Sequence, residues 1–127
     1  GWDHMDFYEW TPKSVLMSNW YYDECYGGFE LEENKTADHK RLKGFYDLEK
    51  AGFEQVPCGT NWSGWKRREV NAGADDVIGK LVKTCRRDLG PATLKGFMMA
   101  PWASCDTEDH LAYINHGIDL FAEALKQ

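Results

Sequence analysis

No run in this chain approaches the roughly 20 consecutive apolar residues that a membrane-spanning helix needs, and no signal-peptide pattern opens it. Basic residues are outnumbered, 15 Lys and Arg against 21 Asp and Glu. The net charge of −6 argues against nucleic acid or an anionic membrane as the main partner. The four cysteines (Cys25, Cys58, Cys85, Cys105) show neither a CxxC pair nor a dense framework, so free thiols are the simplest reading. A tetrahedral metal set can be drawn from Cys25, Cys58, Cys105 and His4 or His110. No short paired spacing pre-organises it, so no metal is expected. Gly27-Gly28 and Gly59 lack the GxGxxG context of a phosphate-binding turn, and no cofactor is implied. Gly1 stands where a starting Met would and reads as a processing scar.

What the chain has in excess is aromatic residues, 14% of 127, with six Trp, six Tyr and six Phe. Several sit beside Asn, Asp and Gly instead of inside apolar runs, which suggests a binding surface. Trp20, Trp62 and Trp102 each end a run that reads as a β-strand: SVLMSNW (14–20), FEQVPCGTNW (53–62) and LKGFMMAPW (94–102). Each run is followed by a loop and then by helix signals. Thr36 or Asp38 can cap a helix bearing Leu42, Phe45, Tyr46 and Leu48, and Gly52 sits where a C-terminal cap glycine belongs. A second helix starts near 72–75, carries Val77, Ile78, Leu81, Val82 and Cys85, and stops before Gly90-Pro91. Thr107 with Glu108 opens a third, bearing Leu111, Ile114, Ile118, Phe121 and Leu125. Residues 1–10 form an aromatic, acidic stub that could end an earlier strand.

Strand, loop and helix repeated three times predict one α/β domain over 1–127, with three or four parallel strands each followed by a helix. The near-equal Trp-to-Trp intervals exceed the barrel average of roughly 31 residues per unit, and the surplus lies in the loops after the strands. Right-handed crossovers place the helices on one face of such a sheet, so the other face needs a cover. The expected fold is therefore a partial TIM-type (β/α) barrel, lacking strands or borrowing them from a second copy.

Five stretches carry a resemblance to a known family. Trp2-Asp3-His4-Met5, Thr11-Pro12-Lys13 and Ser18-Asn19-Trp20-Tyr21-Tyr22 resemble the later strands of family-20 glycoside hydrolases, the β-N-acetylhexosaminidase group. Lys50-Ala51-Gly52-Phe53-Glu54-Gln55-Val56-Pro57-Cys58 looks like that family's helix-to-strand step before a pocket tryptophan, here Trp62. Gly96-Phe97-Met98-Met99-Ala100-Pro101-Trp102 looks like its last strand. The resemblance implies the C-terminal half of a (β/α)8 barrel and an N-acetylhexosamine-type glycan as ligand. The family's acid/base is the Glu of an Asp-Glu pair upstream of these motifs. Asp23-Glu24 follows a later strand, and His4 takes the place of the acidic residue the family has before the Met.

The resemblance thus implies part of a sugar pocket without the acid/base, inactive as an isolated chain, with a missing N-terminal half or self-association completing the barrel. The expected sugar contacts are Trp20, Tyr22, Asp23, Trp62 and Trp102, with Trp65, Asn19 and Asn61 nearby. Stacking a sugar's CH-rich face on a flat ring is the functional reading; tryptophans plugging the top of a core is the bland one. Asp23, Glu24 and Asp106 are the carboxylates nearest the expected rim, and solvated loop acids are the favoured reading of them. Lys66-Arg67-Arg68 reads as a solvated loop, and His39 and His116 as surface residues of helices. A different class of function, a self-associating structural module with no sugar ligand, fits the same apolar strands.

Overall fold

The computed structural model describes residues 5–22, 37–61, 75–102 and 105–127. In chain order the elements are α1 (Met5–Trp10), α2 (Ala37–Lys50), β1 (Cys58–Gly59), α3 (Asp75–Asp88), β2 (Met98–Met99) and α4 (Glu108–Lys126). β1 and β2 pair in parallel, with Cys58 opposite Met98 and Gly59 opposite Met99.

This corrects the expected fold. Among the described residues the protein is helix-rich, with two short parallel strands in one sheet, and no half-barrel of three or four strands is present. The run at 14–20 meets the next segment only at two isolated parallel bridges, Met17 with Gln55 and Trp20 with Cys58. A third bridge joins Gln55 to Leu94. Backbone chemistry explains the interruption between that bridge and β1–β2. Pro57 lies between Gln55 and Cys58 and has no N–H to donate across to the 94–99 segment, although its carbonyl accepts from Met98 at 2.9 Å. The pairing offset also grows by one residue between Gln55–Leu94 and Cys58–Met98, a bulge that contains Gly96. The described part of the aromatic stub, from Met5 on, is likewise not a strand. Met5–Trp10 is a one-and-a-half-turn helix, and Phe7 stacks on Phe53 with ring centroids 6.2 Å apart.

The helices end where local chemistry stops them. At the end of α2, Gly52 adopts φ 79°, its N–H reaches Glu49 O at 2.9 Å, and Phe53 N–H reaches Leu48 O at 3.0 Å. That is a Schellman closure, and Phe53 and Leu48 share one apolar cluster with Met17, as the motif prefers. Thr107 caps α4, its side chain accepting from His110 N at 3.2 Å.

The main core joins the three long helices to one side of the paired segments. Tyr21, Leu42, Phe45, Ile78, Leu81, Val82, Cys85, Leu89, Phe121 and Ala124 form it. Two polar ties hold the helices to their neighbours. Tyr46 on α2 donates to the Asp88 carboxylate on α3 at 2.5 Å, and Glu49 accepts from Gly90 N at 2.9 Å and from the Thr93 hydroxyl. No described helix is long and apolar enough to cross a membrane.

Candidate functional site: an aromatic corner on the helix-free side

Side chains alternate sides along extended backbone, and this alternation decides what the site contains. Residues 17, 19 and 21 turn toward α2. Met17 packs with Leu48 and Phe53, Asn19 donates to Arg41 O at 2.8 Å, and Tyr21 meets Phe45 edge-on at 6.4 Å. Residues 16, 20 and 22 therefore emerge on the opposite side. In the middle segment, Gln55 reaches Phe45 O at 2.9 Å, Gly59 lies under Leu81 and Phe121, and Asn61 donates to Tyr113 O at 2.8 Å. Cys58 points the other way, toward Tyr22.

The helix-free side thus carries a row, Trp20–Cys58–Met98, set by the parallel register. Tyr22 and Trp102 complete it. Trp20 and Tyr22 are nearly parallel, 24° apart with centroids at 6.3 Å. Trp102 crosses both edge-on, 5.5 Å from Trp20 and 6.3 Å from Tyr22. The three rings make a corner with two walls. Trp20 is 51% exposed and Trp102 56%, values far from those of core aromatics such as Tyr21 at 0%. Trp102 also holds φ 51°, the left-handed region that costs a non-glycine residue about 1–2 kcal/mol. Backbone strain of this kind clusters at functional sites.

The described members of the corner carry no formal charge. Burial pushes the Tyr22 phenol up to about 12, partly offset by a hydrogen bond from the Trp102 side chain. Desolvation likewise raises the Cys58 thiol, 3.9 Å from the Tyr22 hydroxyl, and the Tyr22 interaction opposes the rise. At neutral pH the site offers ring faces, a phenol, an indole N–H and the Met98 thioether. Stacking and hydrogen bonding are within its reach. Asp106 hydrogen-bonds His110 Nδ1 at 3.2 Å in the first turn of α4.

Of the expected sugar contacts, Trp20, Tyr22 and Trp102 converge here, while Asp23 and Trp62 lie outside the described residues, as do Glu24 and Trp65. Asn19 and Asn61 are corrected. Both turn to the helix side and spend their amides on Arg41 O and Tyr113 O, because their parity along the chain is opposite to that of Trp20 and Cys58. Cys58 and Met98 were missed as members of the site, although the same parity rule applied to a parallel register would have found them. In comparisons with known proteins, no family model, curated protein or solved structure matches this chain.

Proposed function

We propose that the chain binds a carbohydrate at the Trp20–Tyr22–Trp102 corner and does so without hydrolysing it. The observation that carries this reading is the clustering of two half-exposed tryptophans and a tyrosine, uncharged, on the side the helices leave free. One ring wall takes the apolar face of a pyranose. The Tyr22 hydroxyl and the Trp20 indole N–H address its hydroxyls, the Trp102 N–H being committed to Tyr22. The resemblance of 18–22, 50–58 and 96–102 to family-20 hydrolases supports an N-acetylhexosamine-type glycan as the ligand class.

The test is a titration of intrinsic tryptophan fluorescence with N-acetylglucosamine and its β-1,4-linked di- and trisaccharides. Saturable quenching or a blue shift is expected, with Trp20→Ala and Trp102→Ala each weakening binding about tenfold. A ring that covers about 60 Å² of apolar sugar surface contributes roughly 1.5 kcal/mol at ~25 cal/mol/Å², which is that factor of ten. A flat titration into the millimolar range with all three sugars overturns the proposal. A chromogenic N-acetylglucosaminide should be left uncleaved.

A further inference from the structure

α4 shows a second unpaired feature. Its core side carries Tyr113, Gly117, Phe121 and Ala124, all buried. At 100° per residue, a separate flank carries Leu111, Ile118 and Leu125, which remain 45%, 52% and 47% exposed. These three recur every seven residues, with exposed Asn115 and Ala122 between them, which is the spacing of a coiled-coil seam.

We infer that this stripe is the docking surface for a second copy of the chain, packed antiparallel about a two-fold axis at Ile118. The spacing is symmetric about that residue, so a reversed copy sets Ile118 on Ile118 and Leu111 on Leu125, as an isologous interface requires. Charge chooses the direction. Glu108, Asp119 and Lys126 lie along the outer edge of the stripe, all exposed. Parallel pairing puts this edge on opposite sides of the seam in the two copies, so none of the three meets an opposite charge there. Antiparallel pairing sets Glu108 against the partner copy's Lys126 at both ends and leaves only the two Asp119 side chains opposed near the axis. Opposite charges across a helix seam fix orientation in this way. Three half-exposed aliphatic side chains fall short of the roughly 800 Å² per partner of a tight complex, so the dimer is weak and concentration-dependent.

Sedimentation velocity from about 10 μM to about 1 mM tests this. A reversible monomer–dimer equilibrium is expected, abolished by Ile118→Lys with an unchanged far-UV circular dichroism spectrum. Glu108→Lys and Lys126→Glu should each weaken association about three- to tenfold, and the double swap should restore it. Asp119→Asn should tighten it. A monomer at every concentration overturns the inference, as does association indifferent to Ile118→Lys or a double swap that fails to restore it. Trp20→Ala and Trp102→Ala lie on another surface and should leave the dimer intact, so failure of the sugar reading and failure of this one are separable.

Discussion

Tyr22 is a partly buried phenol and Tyr113 a buried one, and desolvation pushes both up to about 12 from an ordinary value of 10.0. Tyr46 rises as well, through burial first and its bond to Asp88 second. The linkage has a definite sign. A group whose pKa is higher in the folded state binds its proton more tightly there, so its contribution is complete below pH 10 and is lost as the pH climbs from there toward about 12. The chain should lose helix signal across that alkaline window. Phenolate absorbance of the described tyrosines should rise only above pH 10, coincident with unfolding. A single phase centred near 10, with circular dichroism unchanged, would show that these phenols are not sequestered as described.

Single helices report how far local chemistry governs this fold. Gly79 sits mid-way along α3, and a Cβ added there meets nothing within 4 Å. Gly79→Ala should therefore stabilise the protein by about 0.5–1 kcal/mol through helix propensity and reduced freedom of the unfolded chain. Gly52→Ala finds equal space but must hold φ 79°, and should destabilise by about 1 kcal/mol. Thermal melts of the two variants should move in opposite directions. The same locality explains what was legible in the sequence. Gly52 as a cap, Thr107 as the start of α4 and the stop before Gly90-Pro91 all follow from residues adjacent in the chain. Strand extent did not follow, because a ladder depends on a partner far away in sequence, and Pro57 and the Gly96 bulge divide the pairing into one isolated bridge and one two-residue ladder. The helix at Met5–Trp10 was hidden for another reason. It is too short to show a period, and its hold on the rest comes through Phe7 and Tyr8 against the distant Phe53. Of the site, the aromatic members were legible from their place at run ends. Their neighbours were not, since which side a residue faces depends on register.

The described residues form a one-sided arrangement. The three long helices and both apolar clusters back the paired segments, and the opposite side presents Leu16, Trp20, Met98 and Trp102 to solvent. Adjacent residues of one segment therefore have unlike roles. Tyr21 is fully buried in the main core, and Tyr21→Ala should cost about 3–4 kcal/mol as a large-to-small core substitution. Trp20→Ala, one residue away, and Trp102→Ala should each cost less than about 1 kcal/mol, since half of each ring is already in water. Urea denaturation of the three variants measures this directly. A tryptophan variant as damaging as Tyr21→Ala would make the corner part of the packing and not a surface kept for a ligand.

The thiols divide along the same boundary. Cys58 is sealed under the Tyr22 hydroxyl and Cys85 is held in the core between helices, its thiol pushed up to about 12, whereas Cys105 is exposed just ahead of α4. Alkylating reagents attack thiolates that they can reach. Among these three, Cys105 is modified on mixing, Cys85 waits for the helices to part, and Cys58 waits only for the aromatic corner to open. The protein thus carries an internal clock at each of two depths, and the difference between the Cys58 and Cys85 labelling rates measures how often the corner opens while the core stays closed.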